Sequence, residues 1–130
     1  GRSEWLNELD KIRMPYNINV LTQISAEFAL EHYDILLEQC ELIKQQRTRM
    51  QNALTELGFK CYPSEANFIL ARADMEFEGQ AKEIFEQLKQ HNVLIKCLAG
   101  GHPLLENCLR FTIGSESENG LLLDALKDIL

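Results

Sequence analysis

The sequence predicts an α+β fold, with a small antiparallel or mixed sheet of three or four strands. Helices should pack on one face of that sheet, and a long helix should precede it. Three observations carry the expectation. Apolar residues recur at steps of three or four from Val20 to Leu57. Four short apolar runs follow, each bounded by Gly, Pro, Asn or Ser. Helical stripes separate the second run from the third and close the chain. Strands this short cannot cover themselves, so the helices must.

In chain order, Trp5, Leu6, Leu9 and Ile12 line one side of a short helix over 4–13. Pro15 ends it by restricting Met14. A loop over Tyr16–Asn19 leads to the long helical stretch, with a break expected near Tyr33-Asp34. Beyond the break, Leu36, Cys40, Ile43, Arg47, Met50, Leu54 and Leu57 form one stripe. Arg47 on that stripe should pair with a carboxylate or a carbonyl, and Gly58 should stop the helix.

Phe59–Tyr62 and Asn67–Arg72 read as strands around a Pro63-Ser64-Glu65 turn. The apolar density of the second implies burial on both faces. Asp74 can cap a helix built on Phe77, Ala81, Ile84, Phe85 and Leu88, and Asn92 should end it. Val93–Cys97 and Cys108–Ile113 read as the remaining strands. Ser115 and Glu118 have capping-box spacing, ahead of a stripe of Leu122, Ala125, Leu126 and Ile129.

The chain has 130 residues, enough for one ordinary domain without a disulfide or metal staple. Net charge is −7, which argues against a nucleic-acid partner, because phosphate backbones need a basic footprint. No apolar run reaches the length of a membrane span. Four cysteines without a C-x-x-C pair read as reduced cytosolic thiols, so a cytoplasmic location is expected. Cys97, His102 and Cys108 match no standard zinc spacing, and no metal is expected. The chain opens Gly1-Arg2-Ser3 without an initiator methionine, and reads as a piece of something longer.

Two cations stand within or at the end of apolar strands: Lys96 and Arg110. Either each points outward from a half-exposed sheet, or both face one anion. Arg110 is the stronger candidate, because its planar fork can hold a carboxylate or phosphate by two parallel bonds. Backbone N–H groups of Gly100-Gly101 could approach the same anion. His32, His91 and His102 read as cap or loop residues. No Ser/His/Asp or Cys/His arrangement stands out.

Three ordered segments resemble the histidinol-phosphate aminotransferase family. They are Lys11–Asn19 with its Pro-Tyr-Asn stretch; Pro63–Leu70; and Val93–Lys96 followed by Asn107–Gly114 and Glu118-Asn119. The resemblance covers nearly the whole chain. It implies the aspartate-aminotransferase-like fold (fold type I), with pyridoxal phosphate (PLP) held by a lysine outside this chain. The seven lysines present match no cofactor-lysine context. It also implies that residues 1–33 leave an absent large domain, and that residues 34–130 form the small domain. Arg110 would grip an anionic group of the substrate, histidinol phosphate or glutamate. Lys96, where the family usually carries a second arginine, would assist, with Tyr16 and Asn17 bordering the site. No catalytic residue and no bound cofactor are expected within this piece, and the parent should be a homodimer. Two other readings stay open: a free-standing domain that binds an anionic metabolite, and an aminotransferase for another amino acid.

Overall fold

The computed structural model describes residues 2–14, 18–73 and 80–130. They fall into two compact units, Gly1–Glu38 and Gln39–Leu130.

The first unit carries helices α1 (Ser3–Ile12) and α2 (Val20–Glu31). Neither contains a buried residue. The predicted stripe of Trp5, Leu6, Leu9 and Ile12 exists but lies exposed. Asn19 caps α2 by accepting the Thr22 N–H at 2.9 Å. The expected break in the long helical stretch is real and sits at His32. The His32 backbone N–H closes α2 on the Phe28 carbonyl. Helix α3 then runs Tyr33–Glu56.

The α3 stripe is only half a core stripe. Leu36 and Cys40 are exposed, Ile43 is half-buried, and Met50 and Leu54 are fully buried. Gly58, at φ 91°, turns the chain out of the helix as expected.

The second unit holds one antiparallel sheet in the order β1-β2-β4-β3. The strands are β1 (Phe59–Cys61), β2 (Phe68–Ala73), β3 (Lys96–Cys97) and β4 (Cys108–Thr112). Helix α4 (Gln80–Gln90) follows β2, and α5 (Glu116–Ile129) follows β4. Asn92, at φ 59°, takes the chain out of α4 as the sequence implied. The predicted cap at Asp74 and the packing of Phe77 lie outside the described residues.

Ile69, Ala71, Ala73, Leu109 and Phe111 point inward from β2 and β4. They meet Met50 and Leu54 of α3, Ala81, Ile84 and Leu88 of α4, and Leu122, Ala125 and Leu126 of α5. Phe59 and Phe111 pack edge to face, with ring centroids 5.5 Å apart. Two expectations need correction. Strand β2 is not buried on both faces: inner residues are covered, while Phe68, Leu70 and Arg72 are only half-buried. Strand β3 is two residues long rather than five, because Val93–Ile95 make no ladder with β4.

The capping box at α5 is complete. Glu118 accepts the Ser115 N–H at 2.7 Å, and the Ser115 hydroxyl accepts the Glu118 N–H at 3.3 Å. A Cβ on Gly114 would lie 2.7 Å from the Glu118 carboxylate, so a larger residue there would push that carboxylate from its folded-back position.

Candidate anion-binding face

All three helices of the second unit that meet the sheet's core do so on one face. The other face carries the residues that alternate with the core. Register fixes who stands beside whom. Lys96 lies directly opposite Arg110, Leu70 opposite Arg110 on the other side, Arg72 opposite Cys108, and Lys60 opposite Arg72. Four cations therefore cross four strands as two directly opposed pairs, Lys60–Arg72 and Lys96–Arg110, joined by one diagonal step from β2 to β4. The strands themselves contain no acid.

Lys96 and Arg110 are thus brought together on one face, as one of the two readings of the sequence required. Both are exposed, on an open surface rather than in a closed cleft. Among the described residues seven other cations are ion-paired with a carboxylate. Among the described residues no ion pair reaches Lys96, Arg110 or Lys60. Like charges placed directly opposite on one sheet face repel. At this surface the penalty is on the order of 1 kcal/mol. An anion bridging the two would remove it.

The Arg110 Cζ lies 5.4 Å from the centre of the Phe68 ring. Arg72 is held differently. Its Nε donates to the Tyr62 hydroxyl at 3.2 Å, and a terminal nitrogen donates to the Leu104 carbonyl at 2.7 Å. It ties the loop between β3 and β4 to the sheet. That loop is closed on itself. The Gly100 N–H donates to the Glu106 carboxylate at 3.0 Å, and the Gly101 N–H to the Leu98 carbonyl at 3.2 Å. The glycine amides are therefore already satisfied, which corrects the expectation that they could serve an anion. His102 accepts the Leu104 N–H at 3.1 Å and belongs to the same loop.

Arg47 behaves as its place on the stripe implied. It donates to the Ala66 carbonyl at 2.9 Å and to Glu65 at 3.1 Å. Cys97 faces inward and Cys108 outward, so sheet alternation places them on opposite faces. Among the described residues no cluster could hold a metal. All four cysteines are free, and burial pushes the Cys61 thiol upward. Tyr16 and Asn17 lie outside the described residues. Lys60, Phe68 and Arg72 were absent from the sequence reading of this face. Counting in twos from Arg110 and Leu70 finds Phe68 and Arg72, but only with the strand register known.

The family model for aminotransferase class I and II matches residues 1–126. The chain belongs to this aminotransferase family. A relative named histidinol-phosphate aminotransferase 2, from Nitrosococcus oceani, is 51% identical over 128 residues, covering 98% of this chain and 35% of its own length. The crystal structure of a putative aminotransferase from Burkholderia pseudomallei is similar at a TM-score of 0.82 and 26% identity, covering 99% of this chain and 38% of that one. That of the histidinol-phosphate aminotransferase from Clostridium acetobutylicum gives 0.80 and 25%, covering 98% and 38%. The chain spans about a third of the aminotransferases it matches. The α+β architecture expected from the sequence is the one these aminotransferases share.

Proposed function

We propose that this chain is the C-terminal part of a PLP-dependent histidinol-phosphate aminotransferase, in which Lys96 and Arg110 grip the anionic group of the substrate. The observation that carries the reading is the directly opposed Lys96–Arg110 pair, unneutralised by any described acid. Support for the substrate class comes from the relative's 51% identity. In this reading residues 1–33 connect to a large domain and 34–130 form the small one, Tyr16 and Asn17 border the site, and the parent is a cytoplasmic homodimer.

The two cations would divide the work. The Arg110 guanidinium can take two oxygens of a phosphate or carboxylate in parallel. The Lys96 ammonium adds a compact charge without directional fork geometry. Together they would fix the substrate's tail, so that its reacting carbon is presented in one orientation.

The cofactor implied needs a lysine amine and an acidic partner for its ring nitrogen in one enclosed site. Lys60 and Lys96 stand on an open face whose strands carry no acid, and the clefts beside α5 contain no lysine. These described residues do not fit that cofactor. Its site is assigned to the part of the parent outside this chain.

A charge-assisted bond contributes about 1.5–3 kcal/mol. In the parent, Arg110→Ala should therefore raise the KM for the anionic substrate roughly 10- to 100-fold. Unchanged kinetics would remove Arg110 from the site. In the chain alone, inorganic phosphate at low salt should move the NMR signals of Lys96 and Arg110, with Lys60→Gln leaving that response unchanged.

A further inference from the structure

Among the described residues no acid holds the guanidinium of Arg110, yet it lies over an aromatic ring. We propose that Phe68 is the positioning residue of the anion site: its ring fixes the Arg110 guanidinium while leaving all of its N–H donors free for the ligand. The inference rests on the reading of Arg110 as an anion anchor.

An acid beside Arg110 would order it equally well. It would also use the donors, and would repel the anion those donors are meant to bind. A phenyl face attracts the cation through its quadrupole and accepts none of the donors in the guanidinium plane. The observed separation of 5.4 Å lies within the range of that attraction.

The ring stands on a well-held stretch of backbone. Phe68 pairs with Thr112, one place along the outer face from the Leu70–Arg110 pair. Its own carbonyl accepts the Ser64 hydroxyl at 2.5 Å. The preceding Asn67 carbonyl accepts the Ile113 N–H at 2.8 Å. Arg47 fixes the Ala66 carbonyl one residue earlier. Four constraints thus converge on the three residues ending at Phe68. The ring itself is half-buried, with its outward part available to Arg110.

Two measurements on the 130-residue chain test this separately. The first uses the Arg110 side-chain Nε–Hε signal, assigned by its loss in Arg110→Lys. Ring current should displace the Arg110 δ and ε protons upfield in the wild type. The Nε heteronuclear NOE should fall in Phe68→Leu and be retained in Phe68→Tyr. The second titrates inorganic phosphate: Phe68→Leu should weaken binding ~3-fold, Phe68→Tyr should not, and Phe68→Leu should add no loss to Arg110→Lys. Loss of affinity in Phe68→Tyr equal to that in Phe68→Leu would mark a packing role only and overturn the proposal. So would a wild-type Arg110 without ring-current shift, a result that needs no variant to fold. If phosphate leaves wild-type Arg110 unmoved while the ordering by Phe68 holds, the anion-anchor reading fails and the positioning stands.

Discussion

Arg47 and Glu65 form an ion pair whose two ends differ sharply in surroundings. The arginine side chain is 12% exposed and the glutamate 97%. The pair itself should contribute little, because a carboxylate in water needs no partner and exposed pairs give about 0–1 kcal/mol. The hydrogen bond from the half-buried guanidinium to the Ala66 carbonyl is another matter. A bond from a charged donor contributes about 1.5–3 kcal/mol. The aliphatic stem adds contact on the α3 stripe, between Ile43 and Met50. Arg47→Ala should therefore destabilise the chain by about 2–4 kcal/mol, and Glu65→Ala by less than about 0.5. Arg47→Met keeps the stem and should fall between them. Urea denaturation followed by far-UV circular dichroism measures all three. If Glu65→Ala cost as much as Arg47→Ala, the ion pair rather than the carbonyl clamp would be the stabilising contact.

Two further outcomes follow from burial and capping. Leu54→Ala should cost about 2–5 kcal/mol, and Leu42→Ala, on an exposed part of the same helix, within about 0.5, both read from urea midpoints; equal costs would contradict the half-buried stripe. The Ser115 hydroxyl and then its backbone N–H hold the Glu118 carboxyl below its ordinary value of 4.5. A depressed acid stabilises above its unfolded value, and that stability is lost as pH falls through the folded value. Glu118→Gln should accordingly be less stable than wild type at pH 7. The gap should narrow as pH falls below the ordinary carboxyl value of 4.5, and a gap that widened in acid would show the sign to be wrong.

Local chemistry was legible in the sequence wherever one residue type has one use. Gly58 took the positive φ expected at a helix end, Asn92 stands where α4 was expected to stop, and Ser115 with Glu118 formed the box their spacing implied. The break between α2 and α3 was legible to within two residues. Pairing was not legible. The five-residue run Val93–Cys97 reads as a strand by composition, but only Lys96-Cys97 reach β4. Whether Lys96 faced Arg110 depended on that register, because a slip of one residue would have sent it to the core face. Gly100 and Gly101 misled for a related reason: their amides were committed to Glu106 and Leu98 within their own loop.

In the proposed reading the two faces of the sheet separate stability from anion binding, and Lys96 offers the sharpest check of that separation. Removing an inner residue such as Leu109 opens a cavity. Removing Lys96 takes away a repulsion from Arg110 and leaves nothing buried unsatisfied, since Lys96 is exposed and makes no described ion pair. Lys96→Gln should thus be as stable as the wild type or up to about 0.5 kcal/mol more so at low salt. The gain should vanish above about 0.5 M salt, where screening reaches a few ångströms. The same variant should bind phosphate more weakly. A residue whose loss strengthened the fold and weakened anion binding would be one that breaks a rule of sheet design for a ligand's sake. Were Lys96→Gln clearly destabilised instead, the cation would be part of the scaffold, and the paired-cation argument for an anion site would lose its premise.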